Sequence, residues 1–286
     1  MVGDITMKIG VITDCFKLPL DESLKLASEL EFDGVQIYAT TGEFSPEALN
    51  DKRKLEIKNL LKKYKLEISA LCGDMGGYGF QIEKDNPERI RKTKAIIDLA
   101  SEFNISVITT HIGVIPSDEC HPRYKIMLDA ITKCGEYASS KGVTLAIETG
   151  PETAKTLLGF LKKTNGGVGV NLDPANFVMV TGQDPVEAVE LLNEYIVHTH
   201  AKDGIMLKST DPEIIYDHFA TGGIEALNIA DYFLETPIGQ GKVDFKAYIS
   251  ALKKYGYDGY LTIERETGEN PITDIKSAKE ILETIK

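Results

Sequence analysis

The chain has no tryptophan and only four cysteines and five histidines among 286 residues. Cys15, Cys72, Cys120 and Cys134 form no CxxC pair, which argues against a zinc ribbon or a redox dithiol and fits a reducing compartment. Cys15 and Cys72 fall just past predicted strands, which leaves a site role open, and are read first as small buried apolar groups. No run approaches the roughly 20 apolar residues needed to span a bilayer. The opening MVGDITMKIGVIT lacks the basic, apolar and small-residue succession of a signal peptide. The expectation is a cytoplasmic protein with no membrane partner. A basic excess is missing too: the formal net charge is −12, whereas a protein gripping a nucleic-acid backbone usually carries a basic face. Its densest basic stretches, Lys52-Arg53-Lys54 and Lys62-Lys63, lie in a lysine- and glutamate-rich helical segment and read as a solvated face. No nucleic-acid partner is expected.

What is present is a regular alternation. Short β-rich runs, KIGVIT (8–13), GVQIY (34–38), EISAL (67–71), SVITTH (106–111), TLAIE (144–148), GVNLD (169–173), IVHTH (196–200) and YLTIE (260–264), are separated by helical segments. Ser45-Pro46, Asn86-Pro87 and Asp184-Pro185 each place a capping residue before a proline, as at a helix start. In FKAYISALKKYG, Phe245, Tyr248, Ile249 and Leu252 recur at helical spacing, and Gly256 is placed to stop the helix. Strands alternating with helices imply parallel βαβ units, and eight of them at this length match a single (β/α)8 TIM barrel over residues 1–286. The competing doubly wound sheet loses its dinucleotide-binding version, because KIGVITDCF contains no GxGxxG. One stretch, about 203–242, is too long for an ordinary connection and is read as an insertion in a βα-loop at the site end of the barrel.

Strand parity then picks out a site. Alternate residues of a strand share a face. In TLAIE, Leu145 and Ile147 oppose Glu148; in GVNLD, Val170 and Leu172 oppose Asp173; in YLTIE, Leu261 and Ile263 oppose Glu264. IVHTHAKDG sets His198 and His200 on one face, with Lys202 following in register. The apolar sets face the helices. The last inward positions of four neighbouring strands therefore carry Glu148, Asp173, His200 and Glu264, at the C-terminal rim where barrels of this kind place their active sites. Strand four ends in His111. Three carboxylates crowded at one mouth repel unless something neutralises them, and a divalent cation does so. Oxygen and nitrogen ligands without thiolate suit Mn²⁺, Mg²⁺, Co²⁺ or Zn²⁺. The bland alternative is a hydrogen-bonded polar plug.

The segments AIETG (146–150), VNLDPAN (170–176), HTHAKDG (198–204), PIGQGKVDF (237–245) and YGYDGYLTIERE (255–266) resemble the xylose isomerase-like TIM barrels, the sugar phosphate isomerase/epimerase group. The resemblance covers essentially the whole chain. It implies one metal ion held by Glu148, Asp173, His200 and Glu264. In the group's ketose 3-epimerases the two glutamates also remove and return a proton beside a carbonyl, so Glu148 and Glu264 inherit acid–base roles. A small carbohydrate substrate is implied, and a homodimer is a common assembly of such barrels. The same site chemistry serves epimerisation, aldose–ketose isomerisation and dehydration.

Two positions depart from the ketose 3-epimerases. Asn176 stands where some of them carry a substrate-binding histidine, and Met206 where they carry an arginine. The HxKD pattern of His200, Lys202 and Asp203 is similar instead to inosose dehydratase, the second reading. Lys202 is a candidate ligand for a carboxylate, phosphate or ketose oxygen, or else an ion-paired lysine. His111 and His198 are candidates for contacting substrate or orienting a ligand. Gln36, where the family often has a glutamate, is given no role. The glycine-rich stretches 73–79 and 166–169 suit tight turns more than a phosphate cradle. An endonuclease IV-like DNA-repair enzyme and a sugar-binding barrel without turnover complete the alternatives. The first needs extra histidines that LCGDMGGYGF and Asn176 do not supply.

Overall fold

A computed structural model describes residues 6–223 and 227–286. Among these residues ten strands run in chain order: β1 (Lys8–Ile12), β2 (Gly34–Tyr38), β3 (Glu67–Cys72), β4 (Val107–Thr110), β5 (Thr144–Glu148), β6 (Val168–Leu172), β7 (Ile196–Ala201), β8 (Asp203–Met206), β9 (Phe233–Thr236) and β10 (Tyr260–Ile263). Eight of them close a parallel barrel in the order β1-β10-β7-β6-β5-β4-β3-β2. The fold expected from the alternation is therefore the fold observed. Helices α1 (Leu20–Glu29), α2 (Asp51–Tyr64), α3 (Asn86–Glu102), α4 (Pro122–Ser140), α5 (Ala154–Leu161), α6 (Pro174–Asn176), α7 (Pro185–Leu192), α8 (Pro212–Ala220), α9 (Phe245–Lys254) and α10 (Pro271–Ile285) fill the connections and the C-terminal end. Among the described residues, no helix is long and apolar enough to cross a membrane.

Parity sorts the strand side chains as their alternation predicts. Ile9, Val11, Val35, Ile37, Leu71, Ile108, Leu145, Ile147, Val170, Leu172, Leu261 and Ile263 belong to the large core between strands and helices. Inside the barrel the apolar contribution is small: Ala70, Val107 and Ala146 cluster with Val197 beside them. Tyr260 fills the floor, its ring so close to Gly34 that a Cβ there would lie 2.7 Å from it. Above that floor the interior turns polar.

The barrel register slips twice. Between β2 and β3, Val35 faces Ile68 but Gln36 faces Ala70, and between β6 and β7, Val170 faces Ile196 but Asn171 faces His198. Each slip inserts one extra residue, Ser69 or Val197, opposite a polar side chain. Such bulges bend a strand and re-aim the side chains beyond them.

Several local expectations hold. Asp184 caps α7 by accepting from the Val186 amide at 2.8 Å. Phe245, Tyr248, Ile249 and Leu252 are the buried face of α9, and Gly256 beyond it has φ 81°. Gly76 and Gly77 take φ 63° and 62°, as a turn requires. One start differs: Ser45-Pro46 opens no helix. The Ser45 hydroxyl donates back to the Gly42 carbonyl at 2.9 Å, closing a turn, and α2 begins at Asp51, where the Asn50 side chain accepts from the Arg53 amide. Arg53 itself is not simply solvated, since it pairs with Asp21 and Glu43.

Apart from residues 224–226, which lie outside the described residues, the 203–242 stretch has more order than an irregular loop. β8 and β9 pair antiparallel, Asp203 opposite Thr236, and α8 lies between them in the chain. Asp203, 1% exposed, ties this ribbon to the barrel. Its carboxylate accepts from the amides of Gly204, Gly239, Gly241 and Val243 at 2.8–3.1 Å. A Cβ at Gly241 would sit 2.0 Å from Asp203 Oδ1, so only glycine lets the loop approach. Replacing a buried charged acceptor leaves these donors unpaired. Asp203→Ala is expected to cost about 2–4 kcal/mol in urea unfolding, against less than about 0.5 kcal/mol for Asp217→Ala on a more exposed helix position. Equal midpoints for the two variants would show that the loop does not hang on Asp203.

Candidate metal centre

Each candidate ligand reaches the mouth from a different element. Glu148 is the last residue of β5, and Asp173 follows β6 as the cap of α6. His200 lies near the end of β7, and Glu264 follows β10. One ligand atom from each comes within 4.8 Å of all the others, and all four residues are buried.

Their hydrogen bonds leave the inward atoms free. Asp173 Oδ1 accepts from the amides of Ala175 and Asn176 at 2.8 and 3.3 Å, while the Thr149 hydroxyl accepts from the Asp173 amide at 2.9 Å. This anchors one carboxylate oxygen and turns the other inward. Asp173 Oδ2, His200 Nδ1 and Glu264 Oε2 are buried with no hydrogen-bond partner. His200 Nδ1 stands 2.9 Å from Glu264 Oε2, 3.4 Å from Glu148 Oε1 and 3.7 Å from Asp173 Oδ2. Buried polar atoms are rarely left unpaired, and three unpaired atoms converging with a fourth carboxylate form an oxygen–nitrogen donor set that fits a divalent cation.

Charge follows the same geometry. Burial disfavours a charged His200, yet Glu148 and Glu264 outweigh it and hold the imidazole well above its usual pKa. Burial likewise opposes ionisation of the two glutamates. His111 and His200 overcome it for Glu148, and Lys202 and His200 for Glu264, so both carboxyls sit below their ordinary value.

The remaining candidates separate into two groups. His111 and Lys202 are at the mouth. His111 Nε2 is 3.6 Å from Glu148 Oε1, its side chain 31% exposed. Lys202 Nζ is 2.7 Å from Glu266 and 3.4 Å from Glu264, so the lysine is ion-paired as well as inward-facing. His198 and Asn176 are not brought to the cleft. His198 lies a layer deeper, its Nδ1 2.8 Å from Asn171 Oδ1 and its Nε2 3.0 Å from the Thr262 hydroxyl. Burial pushes its pKa down to about 3, so the ring is neutral. Asn176 is turned aside, its amide donating to the Thr149 carbonyl at 3.0 Å. Both brace ligand-bearing segments, the second of the two roles open to His198.

Three residues were given no role by the sequence. Gln36 reaches across the barrel, its Oε1 3.1 Å from His200 Nε2. Tyr216 of α8 sets its ring centroid 6.0 Å from that of His111, and its hydroxyl would lie 2.0 Å from a Cβ at Gly150. Glu152, 5% exposed, has a buried Oε2 with no partner. A cleft of about 440 Å³ opens beside Glu264 and Glu266, lined also by Thr13, Cys15, Tyr38 and Phe44. That is the size of a small-molecule site.

The xylose isomerase-like TIM barrel profile matches residues 24–285. The chain belongs to that family. A xylose isomerase domain protein from Planctomyces limnophilus superposes with a TM-score of 0.80 at 25% identity, covering 99% of this chain and 97% of that one. A fructoselysine 3-epimerase from Shigella flexneri is 23% identical over 91% of each chain. An inosose dehydratase from Clostridium botulinum is 24% identical over 50% of this chain and 47% of its own. The family thus includes relatives with two reaction types.

Glu152 gives a test that needs neither metal nor substrate. Burial raises its carboxyl to about 8 from an unfolded value of 4.5. Between those values the folded protein holds one more proton than the unfolded chain, so this group's contribution to stability falls as pH rises. Relative to Glu152→Gln, the metal-free wild type is expected to lose up to about 1.4 kcal/mol per pH unit between pH 5 and 8. Parallel urea-stability profiles for the two proteins would refute the buried neutral acid.

Proposed function

We propose that this protein is a metal-dependent isomerase or epimerase of a small sugar, sugar phosphate or polyol ketone, built on one barrel domain with the 203–242 insertion walling its site. The observation that carries the reading is the convergence of Glu148 and Glu264 with Asp173 and His200 around three unpaired buried ligand atoms. These four residues would hold one divalent ion, Mn²⁺, Mg²⁺, Co²⁺ or Zn²⁺. When bound, such an ion supplies Lewis-acid stabilisation of the charge left on a carbonyl oxygen when the adjacent carbon loses a proton.

The chain's own groups do the rest. Glu148 and Glu264 come from strands on different sides of the barrel mouth, and both are held ionised, the state a base needs. One carboxylate takes the proton, and the other, once it has picked up a proton from solvent, returns that proton from the opposite face and is left ionised. Return to the neighbouring carbon gives isomerisation in place of epimerisation. His111 and Lys202 flank them and are placed to hydrogen-bond substrate oxygens, while the cleft beside Glu264 takes the remaining carbon chain. The fructoselysine 3-epimerase relative supports this reading.

A dehydratase is the second reading. Lys202 beside Glu264 belongs to the HxKD pattern, and an inosose dehydratase is among the relatives. Proton NMR in D2O with the Mn²⁺-treated enzyme, the ion removed before recording, separates the readings across ketoses, ketose phosphates and inososes. Loss of the carbon-bound proton beside the carbonyl, with an epimer or aldose appearing, is expected. Glu148→Gln and Glu264→Gln should lower the exchange rate by at least about 10²-fold. A dehydrated diketone would move the protein to the lyases. No exchange with any substrate by a metal-loaded wild type would refute both.

A further inference from the structure

His200 Nε2 has two polar neighbours of opposite character. Gln36 Oε1, an acceptor, lies 3.1 Å away, and Asn171 Nδ2, a donor, 3.2 Å away. The orientation of Asn171 is set by its other partners. Its Nδ2 is 3.3 Å from the carboxylate oxygen Glu148 Oε2, which can only accept. Its Oδ1 then faces His198 Nδ1 at 2.8 Å, so His198 donates from Nδ1 and accepts at Nε2 from the Thr262 hydroxyl at 3.0 Å. Gln36 is braced on the other side, its Nε2 3.0 Å from the Thr109 hydroxyl. Both amides sit where the barrel register slips, opposite the bulges at Ser69 and Val197.

We propose that Gln36 is the positioning residue that keeps the His200 proton on Nε2, leaving Nδ1 as the lone-pair atom that faces Glu148, Asp173 and Glu264. With Gln36 accepting, Nε2 keeps its proton when an incoming ion displaces the one on Nδ1, and the freed lone pair faces the three carboxylates. Without that acceptor, the Asn171 donor satisfies Nε2 and the neutral ring carries its proton on Nδ1, where it blocks the ligand position. Ligating histidines generally depend on such an outer partner to fix tautomer and ring orientation. Here the selecting group comes from β2, a strand that carries none of the four candidate ligands. The inference rests on the metal reading but not on any particular reaction.

Zinc supplies a diamagnetic probe. Long-range ¹H–¹⁵N spectra of the zinc-loaded wild type are expected to show His200 protonated at Nε2. Competition with a chromophoric chelator should show zinc bound about 10–100-fold more weakly by Gln36→Met, a near-isosteric change without an acceptor, whereas Gln36→Glu keeps the acceptor and stays within about threefold. Wild-type affinity in folded Gln36→Met, or a proton on Nδ1 in the zinc-loaded wild type, would overturn the inference while leaving the metal centre standing. If Gln36→Met does not fold, the wild-type spectrum and the Gln36→Glu affinity still decide. A wild type that binds no zinc, manganese, cobalt or magnesium overturns both this inference and the metal reading.

Discussion

Three carboxylates buried within a few ångströms of one another set the terms for the rest of the molecule. Left alone, Glu148 and Glu264 would take up protons, because burial and the neighbouring carboxylates raise their pKa. They are held ionised by cations from two strand ends: His200 and Lys202 at the end of β7, and His111 just beyond β4. Each counter-charge has its own tether. Lys202 is shared with Glu266, and Arg265, between the two glutamates in sequence, is drawn the other way to Glu235 and Asp274. Adjacent acids and bases thus face different partners, which keeps Glu264 available to the centre and commits Arg265 to fastening β9 against α10.

Backbone geometry makes this arrangement accessible. Parallel strands ending together bring their last inward side chains to one rim, and the four candidate ligands need no unusual backbone to meet. Asp173 shows how little is added. One of its oxygens caps α6, as a residue at that position commonly does, and capping alone fixes where the other oxygen points. Thr149, one residue past Glu148, holds the same turn. A single threonine therefore couples the positions of two candidate ligands on neighbouring strands.

This is also why so much was legible in the sequence. The closed barrel, the face of each strand and the convergence of Glu148, Asp173, His200 and Glu264 all derive from a period of two and one terminal residue per strand. What escaped was whatever depends on contacts distant in sequence. Gln36 lies 164 positions from His200 and reads as an ordinary polar residue in GVQIY. Tyr216 arrives from an insertion whose own order, a ribbon and a helix, carries no strong periodic signal. Glu152 sits in a loop, where burial depends on what α8 covers. For His198 parity gives the right face but not the layer, because a period of two says nothing about depth along the barrel axis. Ser45-Pro46 misleads because a serine before a proline closes a turn as readily as it starts a helix.

The polar barrel interior answers a further physical question. Barrels of this architecture are commonly filled by branched aliphatic layers, yet here Gln36, Thr109, Asn171, His198 and Thr262 occupy the layer beneath the ligands. An aliphatic layer would pack well and cost nothing in unsatisfied polar groups, but it gives no hydrogen bond to the underside of Glu148 or His200. Those groups would then be oriented only by their charges, which attract without direction. Amides and a neutral imidazole supply direction instead, and each has a partner below it, down to the small apolar floor of Ala70, Val107 and Ala146. A network of this kind stabilises only when nearly every member is satisfied. The atoms left unsatisfied are concentrated at its top, on the ligands themselves, so the same chain of hydrogen bonds that rigidifies the barrel also defines where its unmet bonding capacity points.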